Sequence, residues 1–356
     1  MTMHGHVIVV GAGPTGLSAA LYLARNGVDV TVIDRMSETA YDRYHGICGA
    51  GISRKAFRKL RYIEPWHVRN RIDRGELAFP GDILVSIPVK GYILDRVAFL
   101  HELRARCESA GCCFVHGTVI DIDTVTDLED KERMYHVTLG HGPEYLCTHI
   151  IGCDGAHSIV RKKLFGWKPA EAIPTTECIV EGEPRPVFRM ELGERWKGAY
   201  SWTFPAGDNV SIGALKGLVS TEDVISHGSR MIPFGGGGPI EKDNAYLCGD
   251  AAAMPNPICA GGLMVGLVSG QECARTILSG KRGRYQRWWD NSILSSPRFM
   301  WFHQVIVDWK DSDFEDAAEP FRGGGNFYLL GMKALLTKRQ YVREYLGCLQ
   351  TFRHAW

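Results

Sequence analysis

The chain has 356 residues, too many for one small core and enough for two interleaved lobes. Hydrophobic residues make up 45% and charged residues 23%, and a formal charge of +1 gives no electrostatic case for a nucleic-acid partner. Eleven cysteines without a C-x-x-C pair argue against zinc, so no metal is expected and free thiols in a cytoplasmic protein are the economical reading. No signal peptide is expected before the first apolar run, and no run approaches the roughly 18 residues that span a bilayer.

"HVIVVGAGPTGLSAALYLARNGVDVTVIDR" predicts strand, turn, helix and strand. The β-branched run "VIVV" suits a parallel strand covered on both faces. Beyond Pro14, Leu17, Ala20, Leu21 and Ala24 recur at helical spacing, Gly27 suits the helix stop, and "VTVI" is the second strand. Residues 76–95 are strand-like with Pro and Gly punctuation, and residues 96–111 return to a helical period closed by Gly111. Two or three strands are then expected, ending in "YLCTHIIGCDG". Residues 177–216 predict a mostly antiparallel sheet, and Gly235–Gly238 a hinge or turn. "AYLCGD" is a buried strand, 262–279 a helix, and the tail from Lys281, rich in Arg and Trp, mostly helical.

The expected architecture is α/β. A Rossmann-type nucleotide-binding domain (1–75, 96–167 and 240–282) is interleaved with an α+β domain containing a mostly antiparallel sheet (76–95 and 168–239). A C-terminal helical region (283–356) completes it. A cleft between such lobes is where a ligand would sit.

Gly11, Gly13 and Gly16 form G-x-G-x-x-G between strand and helix, with Ala12, Pro14 and Thr15 filling the loop. The first glycine permits the tight turn, the second lets backbone approach a pyrophosphate, and the third lets helix and strand pack closely. The helix N-terminus faces the phosphates with unpaired N–H groups. Asp34, followed by Arg35, closes the second strand 18 residues past Gly16, where an acid holds ribose hydroxyls. This end alone does not distinguish NAD from FAD.

Two later stretches do. "GCDGAHSIVRKKL" (152–164) and "YLCGDAAAMPNPICAGGLMVGLVSG" (246–270) resemble the Asp-Gly and Gly-Asp motifs of the p-hydroxybenzoate-hydroxylase-like flavoproteins. The resemblance implies FAD. It implies Asp154 and Gly155 beside the cofactor, with Ser158 and Arg161 following on a helix. It also implies Gly249 and Asp250 at the ribityl chain, and Gly261, Gly262 and Leu263 opening a helix whose N-terminus favours negative charge on the reduced ring. Arg96 matches an arginine that contacts FAD in these proteins, the alternative being a salt bridge with a surface acid. Val119 matches the strand whose backbone meets adenine, core packing being the other reading.

"YSWTFPAGDNVSIGAL" (200–215) puts Tyr200, Trp202 and Phe204 on one side of a strand that Pro205 is expected to end. Such a stripe is by default sheet core. The pattern Y-x-W-x-F-P, seven residues and Gly213 resembles the geranylgeranyl reductase family, FAD-dependent enzymes that saturate isolated C=C bonds of isoprenoid chains. Leu215 stands where that family has a second glycine. "GICGAGIS" resembles its C-G-x-G-[IL]-S segment, whose cysteine lies beside the flavin. Cys48 is thus the candidate catalytic residue and, with Gly49, a cofactor neighbour; Gly46 stands where the family commonly has lysine. A free cysteine is otherwise a small apolar filler.

The resemblance implies as partner an isoprenoid lipid or another long apolar molecule, bound by Tyr200, Trp202, Phe204 and Pro205. The electron donor stays open between NAD(P)H, ferredoxin and another reductant, and a monomer is expected. "RYQRWWDN" and "SPRFMWFHQVIVDW" mix aromatics and Arg as interfacial segments do, so peripheral membrane contact and a packed helical lid are both kept. The alternative functions on this scaffold are an aromatic monooxygenase (hydroxylase) and a halogenase. The halogenase motif W-x-W-x-I-P is broken at Tyr200 and Phe204. A non-enzymatic flavin-binding role is the third.

Overall fold

The computed structural model describes residues 6–126 and 133–355. The chain opens as β1 (Val7–Val10), α1 (Pro14–Ala24), β2 (Val30–Asp34) and α2 (Glu38–Gly46). All four residues of β1 are buried, because helices cover both faces of its sheet. Short strands β3 (Gly51–Ser53), β4 (Val68–Ile72), β5 (Arg74–Phe79), β6 (Ile83–Ile87) and β7 (Gly91–Leu94) lead to α3 (Arg96–Ser109). The Asp95 side chain caps α3 by accepting from Ala98 N–H, and Gly111 leaves the helix in the left-handed region at φ 97°.

Five strands follow α3, where two or three are expected from sequence: β8 (Cys113–His116), β9 (Val119–Thr126), β10 (Arg133–Leu139), β11 (Tyr145–Cys147) and β12 (His149–Gly152). The extra ones, β9 to β11, pair only with each other, as a three-stranded antiparallel sheet. Then come β13 (Glu171–Val180), β14 (Val187–Glu191), β15 (Ser201–Ala206), β16 (Asn209–Leu215) and β17 (Ser226–Phe234). The two short strands β18 (Glu241–Lys242) and β19 (Ala245–Leu247) lead into α4 (Leu263–Ser279). The tail is helical, as α5 (Arg284–Asp290), α6 (Pro297–Val307), α7 (Asp311–Ala318), α8 (Phe327–Thr337) and α9 (Val342–Gln350).

Two large sheets organise the molecule. One has the order β18-β19-β12-β1-β2-β8, parallel apart from its β18 edge. The other has the order β17-β13-β16-β15-β14-β5-β6 and is antiparallel except where β14 meets β5. The fold is thus a mixed α/β architecture with C-terminal helices, as the sequence predicts. β7, expected with the inserted sheet, instead joins β3 and β4 in a small sheet of its own. Its register links the loop after α2 to the start of α3.

The helices α1 and α4 cross at the closest approach in the parallel lobe. A Cβ on Gly270 would lie 2.4 Å from the Thr15 carbonyl oxygen, and one on Gly266 would lie 2.5 Å from Thr15 Oγ1. Ser18 Oγ donates to the Leu267 carbonyl at 2.7 Å across the same contact. Much of the aromatic tail is packed against the body of the molecule. Tyr285 is 0% exposed and stacks on Trp288, while Phe299, Phe302 and Ile306 of α6 are buried. Among the described residues no helix is long and apolar enough to cross a membrane.

Gly270→Ala is expected to cost about 1–3 kcal/mol, because backbone at the crossing must shift. Gly331→Ala, on α8 with open space around it, is expected to be neutral or to stabilise by about 0.5–1 kcal/mol. Urea unfolding of the two variants against the parent checks the contrast.

Candidate active site

The first βαβ unit builds a phosphate-binding turn. A Cβ on Gly16 would lie 1.9 Å from the Gly11 carbonyl oxygen, so only glycine lets α1 start this close to β1. No side chain caps the N-terminus of α1, and its first N–H groups are left for an anion. Tyr41 donates from its hydroxyl to the Ala12 carbonyl at 2.7 Å and meets the His45 ring at a tilt of 56°, with the centroids 4.2 Å apart. Burial, with Arg96 and Arg230 adding repulsion, pushes the His45 imidazole down to about 2. It is a neutral ring beside the loop, with Nδ1 buried and unpartnered. His45 carries no sequence signal of this placement.

Asp34 accepts the Ala12 N–H at 2.7 Å and the Met36 N–H at 2.8 Å, one on each oxygen. It therefore ties the glycine loop to the end of β2. Gly117 N–H donates to the Asp34 carbonyl at 2.8 Å, which brings Val119 at the start of β9 to the same edge; Val119 is buried, and Arg35 is exposed.

The two later motifs meet through Arg161. Its guanidinium donates to the carbonyls of Ala156 and Ala251, tying the Asp154–Gly155 turn to the Gly249–Ala252 turn. Asp154 Oδ2 accepts from Ile159 and Val160 N–H, whereas its Oδ1 is buried without a partner. Burial holds the Asp250 carboxyl above its usual range, although Arg230 and Arg96 pull it down. A Cβ on Gly262 would lie 3.3 Å from Asp250 Oδ1, so this acid sits against the start of α4, beside Gly261 and Leu263.

These features fit FAD. A bare helix start suits the pyrophosphate, and the Asp34–Val119 edge suits the adenosine end. The orphaned Asp154 oxygen, the buried Asp250 and the α4 N-terminus suit the ribityl chain and ring. Arg96 fits the same use. Among the described residues its guanidinium makes no ion pair, its Nε is buried and unpartnered, and Arg69 takes the neighbouring Asp95 instead.

Cys48 lies in the turn after α2, half-buried, its sulfur accepting the Ala50 N–H at 3.3 Å. A Cβ on Gly49 would lie 2.8 Å from the Phe204 ring and 3.6 Å from Trp202 Nε1. The glycine is thus required by the aromatic wall pressing on the loop. Position 46, by contrast, is sterically free, since a Cβ there would only touch Val97 at 3.8 Å. Tyr200, Trp202 and Phe204 follow one another along one face, with successive ring centroids 6.2 and 6.5 Å apart. Tyr200 donates to the Cys259 carbonyl, and burial, with Cys259 and Cys48 nearby, pushes its phenol well above the usual range. Phe204 meets Phe188 edge-on. The wall is both half-buried core and the surface against Cys48. Pro205 does not end its strand: it pairs with Val210, and β15 runs on to Ala206, because an unpaired N–H is not needed at that position.

A cavity of about 50 Å³ opens at Cys48. Ile93, Leu94, Ile179 and Pro205 line it, but so do Arg96, Glu177 and Ser211, so it is not wholly apolar. An open groove of about 590 Å³ at Glu272, Arg284 and Trp288 shares none of these residues. Glu177 and Arg230 escape sequence reasoning, although an acid inside the apolar run "TTECIV" is a signal that could have found the first.

A family model described as FAD binding domain matches residues 4–61. Over 304 residues the chain is 30% identical to digeranylgeranylglycerophospholipid reductase 1 of Methanosphaera stadtmanae, covering 74% of this chain and 72% of the relative. It is 28% identical over 318 residues to a menaquinone reductase of Mycobacterium tuberculosis, covering 76% of each. A geranylgeranyl bacteriochlorophyll reductase-like protein of Thermoplasma acidophilum shares the fold, with TM-score 0.75 and 17% identity over 98% of this chain and 99% of that one. The cofactor is FAD, and the chain is an oxidoreductase.

Asp34→Ala is expected to weaken FAD retention about tenfold or more, since a charge-assisted hydrogen bond contributes roughly 1.5–3 kcal/mol. Flavin absorbance remaining after gel filtration, with circular dichroism as the fold control, reads the effect.

Proposed function

The chain belongs to the geranylgeranyl reductase family of FAD-dependent oxidoreductases, and from that premise we propose that it saturates isolated C=C bonds in the isoprenoid chain of a lipid or related prenyl compound. The observation that carries the reading is the contact of the Cys48–Gly49 loop with the Trp202 and Phe204 rings. The thiol and Pro205, next to the wall, line the same small cavity.

An isolated alkene has no carbonyl to hold developing charge, so its saturation needs a strong two-electron donor and a proton source. Reduced FAD supplies the electrons when bound. Tyr200, Trp202, Phe204 and Pro205 align an extended chain and keep water off it. The Tyr200 hydroxyl, tied to the Cys259 carbonyl, fixes that wall. The start of α4 favours negative charge beside it. Cys48 holds the proton at Sγ for the alkene carbon. The names of the relatives suggest two substrate types to compare, a digeranylgeranyl glycerophospholipid and menaquinone.

A lipid substrate has to be met at a surface, and α8 offers one. Tyr328, Leu329, Met332 and Leu336 are 64%, 60%, 55% and 68% exposed, at spacings that share a helix face. From residue 320 onward the sequence has six Lys and Arg against one acid, Glu344; of these, Arg322 pairs with Glu315 and Glu319 and Lys338 with Asp316, leaving Lys333, Arg339, Arg343 and Arg353. An apolar face amid positive charge fits an anionic lipid surface. This is the membrane contact we propose, in place of the packed segments of α5 and α6.

Purified protein with dithionite and each candidate lipid should yield products two mass units heavier per reduced bond, read by mass spectrometry; lipid recovered unchanged would overturn the reading. Cys48→Ala should retain FAD while slowing saturation by about 100-fold, the scale of a lost general acid. Leu329→Glu with Leu336→Glu should abolish flotation with phosphatidylglycerol vesicles while FAD stays bound. Flotation equal to the parent's would remove α8 from the lipid contact.

A further inference from the structure

The acid opposite Cys48 has a place that its sheet does not explain. Glu177 sits mid-strand in β13, paired across to Gly213 of β16 and Gly228 of β17, and is 5% exposed. Neither directly paired neighbour has a side chain, so within the sheet the carboxyl is met by Ser211 of β16. Ser211 Oγ donates to one carboxyl oxygen and itself accepts from Trp202 Nε1 at 3.3 Å. The other oxygen, Oε2, is buried with no partner. A buried unpartnered oxygen costs about 1–3 kcal/mol, and a core needing only bulk would fill this position with an apolar residue.

Resting on the reading of Cys48 given above, we infer that Glu177 is the internal acid that returns a proton to Cys48 after each alkene is saturated. Both residues line the cavity of about 50 Å³, which has room for a bridging water. The other groups there do not serve. Ala50 N–H and the Arg96 guanidinium are donors that do not give up a proton. Asp95 is committed to the Ala98 N–H and to Arg69. Around Glu177 stand Arg230 of β17, Arg96 of α3, Ser211 of β16 and Cys48 of the loop. Burial raises the Glu177 carboxyl to about 7, against Ser211, Arg230 and Arg96, which lower it. It therefore exchanges a proton near neutrality.

The proton account closes. When bound, reduced FAD would supply a hydride, two electrons with one hydrogen, to one carbon of the double bond. At Cys48 the S–H bond breaks as a C–H bond forms at the other carbon. The O–H bond of Glu177 then breaks and S–H re-forms through the water. The remaining carboxylate is reprotonated from solvent past Arg69 and Asp95, which are partly exposed at the cavity mouth.

The test uses FAD-loaded wild type, Glu177→Gln and Glu177→Asp. Infrared difference spectra should show a carboxylic-acid band titrating near pH 7 in the wild type and missing in Glu177→Gln. Alkylation of the Cys48 peptide by iodoacetamide, followed by mass spectrometry, should carry an inflection near pH 7 that Glu177→Gln removes and Glu177→Asp restores. Multiple-turnover saturation should fall as pH rises through about 7 in the wild type, and be about 100-fold slower and flat in Glu177→Gln. Identical alkylation and turnover profiles for wild type and Glu177→Gln would overturn the inference. A wild type that saturates no prenyl lipid would instead sink the reading of the reaction, leaving the infrared and alkylation profiles to decide Glu177 on their own.

Discussion

The crossing of α1 over α4 at Thr15 is the constraint from which the site follows. Gly249, Gly266 and Gly270 each come so near Thr15 that an added Cβ would lie within 2.6 Å of its atoms. Gly270 meets the Thr15 backbone and the other two glycines its hydroxyl, so the crossing has little freedom to slide. Because α1 begins at the glycine loop and α4 begins beside Asp250, locking the helices together also fixes how far apart their N-termini lie. The pyrophosphate and ring ends of one cofactor can then be held by two segments nearly 250 residues apart in sequence. Local packing sets a separation that no single motif could set alone.

The second sheet meets this frame by leaving gaps. At Gly213 an added Cβ would lie 2.0 Å from the Trp202 indole, and at Gly228 it would lie 1.9 Å from Ile47. One glycine makes room for the wall's central ring, and the other takes the residue just before Cys48. The thiol loop is thus socketed into the sheet. Between these two gaps Glu177 keeps a buried polar atom unsatisfied, a local cost that a purely structural core would avoid.

Much of this was legible in the sequence where the cause is local. The first strand, glycine turn, helix and second strand, the helix that Gly111 closes and the buried strand before Gly249 are legible as elements because each depends on neighbours a few residues away. Legibility fails where the cause is register between distant strands. Nothing near Gly91 reveals that β7 pairs with Gly51–Ser53 and Val68–Ile72, and nothing near Arg230 reveals that its guanidinium reaches the Tyr44 carbonyl. In the tail, composition does not show which apolar residues are covered: Tyr285, Phe299 and Phe302 of the Trp-rich segments are buried, whereas Tyr328, Leu329, Met332 and Leu336 in the plainer "FYLLGMKALL" of α8 are exposed.

The strand order carries a consequence for how the molecule is made. The β1 strand at residue 7 is flanked by β12 near residue 150, and β12 by β19 near residue 245. Likewise β5, finished by residue 79, waits for β14 to emerge at residue 187 before its parallel edge is filled. Neither lobe is a contiguous stretch that a ribosome can release complete, so both close late and nearly together. Such long-range pairing slows folding and leaves strand edges bare during synthesis. A nick between β17 and β18 would therefore part β18 and β19 from the rest of the parallel sheet while leaving all seven strands of the other sheet on one fragment.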